Sequence, residues 1–171
     1  MITAIIETLN EEVTLAHALA ALVPAATEGL IRDVIVIDRG STDGTRAVAD
    51  AAGCTIIDAA AERDAIRVAV EQARGDWVLF TPAAHVFRPE WQSDAVTFID
   101  RALAAGQAQR RSATFRGGRL SSGPLSWLIG IIRGGGTARL VAKSAWLAER
   151  ARTVPARSAA SRVSGARRGA A

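Results

Sequence analysis

Asp33-Val34-Ile35-Val36-Ile37-Asp38 constrains the fold more than any other segment. Its apolar, β-branched residues fall on both faces of the strand they form, so both faces need cover. Strands of that kind belong to parallel sheets enclosed by helices. The strand ends in a carboxylate and enters a tight turn, Gly40 to Gly44, with a short helix predicted over Thr45 to Ala52.

The rest of the first hundred residues repeats this alternation. Ile2 to Ile6 reads as a strand. Asn10 and Glu11 open a helix whose apolar stripe is Leu15, Leu19, Leu22 and Val23, with Pro24 as its end. Thr55 to Asp58 reads as a strand, Ala61 to Ala73 as a helix with Ile66 and Val70 inward, and Asp76 to Thr81 as a strand. Pro89 precedes a helix carrying Trp91, Ala95, Phe98 and Ala102 on one face. The order predicts an α/β domain with a doubly wound, mainly parallel sheet flanked by helices. Beyond Gly106 the pattern weakens to two short strands, Ser112 to Arg116 and Arg139 to Ala142. We expect one domain over residues 1–150. Residues 151–171, with five arginines and no acid, are expected to form a basic, disordered tail.

Charge is split along the chain. Residues 1–100 carry 7 arginines against 16 acids, whereas residues 101–171 carry 14 basic residues against Glu149 alone. Such a second half suits an anionic partner, either a nucleotide diphosphate or a membrane surface. Biased composition explains it as well, since 20 of the 21 basic residues are arginine. Nucleic acid is the least suitable partner, because aromatic and basic residues are not interleaved for base stacking. No run reaches the roughly 18 apolar residues of a membrane span. Leu125 to Ile132, which contains Trp127, is the longest, and fits either a buried helix or a foothold on a membrane. The opening residues lack a basic, apolar leader, and Cys54 has no partner for an intramolecular disulfide. The expected compartment is the cytoplasm, with a peripheral position at the inner face of the membrane open through the basic half.

Ligands of open α/β sheets bind at the carboxyl ends of the strands. That directs attention to Asp38 and the turn after it. On a purely structural reading, Asp43 caps the helix and the glycines serve the turn.

Three segments in order weigh against the purely structural reading: Ile5-Ile6-Glu7-Thr8-Leu9-Asn10-Glu11-Glu12, then Asp38-Arg39-Gly40-Ser41-Thr42-Asp43-Gly44-Thr45, then Ala73-Arg74-Gly75-Asp76 before a strand. Together they resemble the family 2 glycosyltransferases, over roughly residues 2–100. The resemblance implies the glycosyltransferase A fold, which is Rossmann-like, and transfer of a sugar from a nucleotide diphosphate donor. It implies nucleotide contacts at Thr8, Asn10, Glu11, Asp38, Gly40, Ser41 and Asp43. It also implies Mg²⁺ or Mn²⁺ on the diphosphate, held by an Asp-x-Asp motif.

That motif is absent. Pro82-Ala83-Ala84 stands in its place, and neither residue type supplies the oxygen a hard cation requires. No metal cofactor is therefore expected, and His85 beside it reads as a surface or packing histidine. The family's later acidic motif aligns with Gly134-Gly135-Gly136, so no catalytic base is assigned. Arg39 and Arg67 are candidates to meet the diphosphate in place of metal. The expected function is a family 2-like nucleotide-sugar protein with weak or absent turnover. The alternative is a non-catalytic module that binds a membrane or a protein on the same fold.

Overall fold

Ile2–Thr8 (β1) is buried along almost its whole length, as its apolar sequence requires. It forms the middle of the sheet. In the computed structural model, which describes residues 1–59, 64–106, 112–116, 118–119 and 137–153, the elements alternate as the sequence predicts. They are β1, α1 (Glu12–Thr27), β2 (Ile31–Asp38), α2 (Thr45–Ala51), β3 (Thr55–Asp58), α3 (Ala65–Gln72) and β4 (Trp77–Pro82). There follow β5 (His85–Val86), α4 (Trp91–Ala104), β6 (Ser112–Arg116), β7 (Gly118–Arg119), β8 (Thr137–Ala142) and a last helix, α5 (Lys143–Thr153).

Six strands form one sheet in the order β3-β2-β1-β4-β8-β6. The four predicted strands are its adjacent parallel part. The two weak strands join as antiparallel neighbours, β8 on β4 and β6 on β8. A small second sheet pairs β5 with β7.

Side-chain alternation gives the sheet two apolar faces. Ile2, Ala4, Ile6, Val36 and Leu79 pack with Leu15 and Leu22 of α1 and Trp91 and Ala95 of α4. Ile5, Ile35, Ile37 and Val78 pack with Ala69 and Val70 of α3. Burial on both faces is why these strands carry continuous apolar runs.

Three details depart from the sequence reading. α1 continues through Pro24 to Thr27. Proline lacks only its own N–H, so one bond to the preceding turn is lost, while the Glu28 N–H still donates to the Pro24 carbonyl at 3.0 Å. Val23 is exposed, and Ala18 and Ala25 complete the inward face instead. α5 runs to Thr153, past the expected boundary at 150. Trp127, the Gly134–Gly136 stretch and residues 154–171 lie outside the described residues.

Gly75 belongs to this framework. A Cβ there would stand 2.6 Å from the Thr3 backbone nitrogen and 2.7 Å from the Ile2 carbonyl carbon. Its N–H donates to Thr3 Oγ1 at 2.8 Å, and that hydroxyl donates to Asp33 at 2.5 Å. The Gly-Asp pair of the third motif thus packs the amino ends of β1 and β4, opposite the turns of the first two motifs.

Candidate functional site

β1 and β2 run parallel with Thr8 beside Asp38, so their carboxyl ends deliver two loops to one place. After β1 the chain turns to β2 and β3 on one side, then returns to place β4 on the other. That reversal makes the crevice at the ends of β1 and β4 the expected ligand position.

The loops are joined by hydrogen bonds running both ways. Asn10 takes the left-handed conformation, φ 53°, which asparagine tolerates better than most residues. Its N–H donates to Ser41 Oγ at 2.9 Å, and its side-chain oxygen accepts the Thr42 N–H at 2.8 Å. Glu11 N–H donates to Thr45 Oγ1 at 2.9 Å, and Glu12 N–H to Asp43 Oδ2 at 3.3 Å. In return Gly44 N–H donates to the Glu12 carboxylate at 3.1 Å. Asp43 Oδ1 also accepts the N–H and hydroxyl of Thr45, at 3.0 and 2.5 Å. One carboxylate therefore serves the first turns of both α1 and α2. The Thr45 hydroxyl, chief among these donors, holds the Asp43 carboxyl below its ordinary range. Gly40 makes the turn possible with φ 95°.

Asp38 lies buried beneath this knot. Its Oδ1 accepts the Ser41 N–H at 3.1 Å and hydroxyl at 2.5 Å. Its Oδ2 pairs with Arg46 at 3.1 Å. The same guanidinium nitrogen reaches Asp58 at 3.2 Å, because the register sets Asp58 beside Asp38. A carboxylate has about four lone-pair positions, and three of them are taken by Ser41 and Arg46 in this buried site. The sequence reading missed Arg46, whose only signal was an arginine lying between two strands that each end in an acid, Asp38 and Asp58. Thr8 Oγ1 is buried at the end of β1 with no hydrogen-bond partner among the described residues.

The two arginines expected at a diphosphate are placed differently. Arg39 stands in the loop cluster, ion-paired with Glu7 and half exposed. Arg67 lies on α3, held by Asp64 at 3.0 Å and Glu71 at 2.7 Å along its own helix. Among the described residues no hydrogen bond or ion pair joins it to the loop cluster.

The positions of the missing Asp-x-Asp motif do not fit a divalent cation. Pro82, Ala83 and Ala84 bring no side-chain oxygen, and Ala83 and Ala84 are packed in the interior at 0% and 4% exposure. His85 is buried rather than exposed and meets Phe87 edge-on, with ring centroids 4.5 Å apart. Among the described residues no three His, Cys, Asp or Glu side chains cluster to hold a metal ion.

The sequence matches the profile of Glycosyl transferase family 2 over residues 3–146. A comparison with curated proteins gives no match. Among solved structures the chain is similar to glucosyl-3-phosphoglycerate synthase from Mycobacterium tuberculosis in complex with Mn²⁺, uridine diphosphate and glucosyl-3-phosphoglycerate. Identity is 20% and the TM-score 0.55, over 84% of this chain and 57% of that one. The same enzyme with Mn²⁺, UDP-glucose and phosphoglyceric acid, and with Mg²⁺ and UDP, matches at the same identity, TM-score and coverage. This chain therefore spans just over half the length of that enzyme. The six-stranded mixed sheet flanked by helices is that of the glycosyltransferase A fold.

Proposed function

This chain belongs to glycosyl transferase family 2, and we propose that it binds a nucleotide diphosphate or nucleotide sugar at the carboxyl ends of β1 and β2 without a divalent metal. The observation carrying this reading is the knot of Asn10, Ser41, Asp43 and Thr45 over the buried Asp38. It holds two loops rigidly at the crevice, with buried Asp38 anchoring them from beneath. Preorganisation of this kind lowers the entropy lost on binding. Thr8, Asn10, Glu11, Asp38, Gly40, Ser41 and Asp43 form the nucleotide site in this reading. Thr8 and Asp38 are buried and anchor the loops, so the exposed Asn10, Gly40 and Asp43 are the members that face a ligand in this reading. Arg39 would exchange Glu7 for the diphosphate. Arg67 is the weaker candidate, since Asp64 and Glu71 already neutralise it.

Turnover is weak or absent in this reading. Pro82-Ala83-Ala84 removes the carboxylates that would hold a cation against the leaving diphosphate, a loss of several kcal/mol of transition-state stabilisation. The second reading, a non-catalytic binding module, rests on the same loss. Among the described residues no helix is long and apolar enough to cross a membrane.

Titration calorimetry with UDP and UDP-glucose, with and without Mn²⁺, tests the proposal. Binding of equal strength in both conditions, lost in Asp38→Ala, supports it. Absence of any nucleotide binding leaves only the module reading.

A further inference from the structure

Between the start of α4 and β6 lies a pocket of about 270 Å³ lined by Arg88, Trp91, Asp94, Thr114, Phe115 and Arg116. Its aromatic wall is fixed: Trp91 is buried, meets Phe115 edge-on at 6.5 Å, and leans on Phe87 at 4.7 Å. β6 ends the sheet among the described residues, so residues from both its faces reach the rim. Neither Arg88 nor Arg116 makes an ion pair among the described residues, in contrast to Arg39, Arg46 and Arg67. Asp94 is the only acid among the described lining residues, which carry a net positive charge.

Strand register fixes its place. Arg139 of β8 pairs with Phe80 of β4, and Thr137, two residues earlier, pairs with Arg116. Arg116 therefore lies at the same end of the sheet as the Asn10 and Ser41 loops.

We propose that this pocket binds a small oxyanion, a phosphate or carboxylate group, belonging to the acceptor substrate. Its assignment to the acceptor rests on the donor reading above; the binding of the anion does not. Guanidinium groups grip such oxyanions through paired N–H donors and stay charged at any working pH. The aromatic wall of Trp91 and Phe115 backs the site on one side, while Arg88, Asp94, Thr114 and Arg116 are exposed at its rim. The volume lies below the range of about 300 to 1,000 Å³ usual for larger ligands, so the occupant is small. Asp94 offers an acceptor to a hydroxyl on the same molecule.

The test follows arginine side-chain N–H signals in ¹⁵N-labelled full-length protein, assigned with R88Q and R116Q. Inorganic phosphate and acetate are titrated separately at constant ionic strength. The expected result is saturable shifts of the Arg88 and Arg116 signals, with binding about tenfold weaker in either variant, the size of one charge-assisted hydrogen bond. The anion saturating at the lower concentration names the group. No shift at tens of millimolar of either anion, or equal shifts at every arginine, overturns the proposal. A UDP titration of the same sample reads the donor loops separately through the Asn10 and Ser41 amides. UDP displacing phosphate from Arg88 and Arg116 overturns the acceptor assignment. UDP leaving it in place supports that assignment.

Discussion

Thr45→Val tests the loop knot with little change of shape. Thr45 is fully buried at the first position of α2, and its hydroxyl accepts the Glu11 N–H at 2.9 Å while donating to Asp43 at 2.5 Å. Valine fills the same space and removes both bonds. The Glu11 N–H loses this acceptor, which costs about 1 to 3 kcal/mol for a buried group. The bond to Asp43 adds little, because that carboxylate is open to solvent and screened. The sum is about 1 to 3 kcal/mol, or a fall in Tm of roughly 2 to 12 °C for a chain of this size. Urea unfolding, with Thr45→Ser as the control that keeps the hydroxyl, measures it. Thr45→Ser should lose about 1 kcal/mol for its missing methyl group. Thr45→Val at wild-type stability, or no less stable than Thr45→Ser, would refute the claim that this hydroxyl joins the loops.

Gly75→Ala should cost about 3 kcal/mol, at the upper end of overpacking, because its Cβ meets backbone that has no rotamer to give; urea midpoints read the loss. Asp43 has a depressed pKa against an ordinary 3.8, so the folded state binds fewer protons than the unfolded chain. The stability it contributes is complete above pH 3.8 and is lost as pH falls through the lower folded value. Asp43→Asn should therefore flatten the acid limb of a pH–stability curve. Restoring carboxylates in P82D/A84D should lower Tm, since Ala84 is interior, without creating Mn²⁺-dependent UDP binding; calorimetry showing such binding would mean the loop opens to a metal. Removal of residues 151–171 should weaken sedimentation with anionic vesicles at low salt, at on the order of 1 kcal/mol per basic residue near the surface. Full-length protein remaining in the supernatant would count against the membrane expectation.

Local pattern carried much of the fold. Continuous apolar runs at residues 2–6, 33–38 and 77–81 fit a strand covered on both faces, and the helical stripes between them supplied the cover. Their adjacency in one parallel sheet follows from that alternation. The motif residues were equally visible, as was the loss of metal ligands at Pro82-Ala83-Ala84. Their work was not visible. Asn10 meets Ser41, and Glu11 meets Thr45, across 31 and 34 residues. Residues that read as ligand contacts hydrogen-bond one another and the neighbouring Glu12, Thr42, Thr45 and Arg46. Arg46 joins Asp38 to Asp58 only because the register of β2 on β3 aligns those two acids. Val23 fits the apolar period yet faces solvent, because the rotation of α1 against the sheet is set by packing. Hydrophobic period is a property of neighbouring residues and survives in one dimension. Hydrogen-bond partners and strand register depend on which distant segments meet, and only the folded chain decides that.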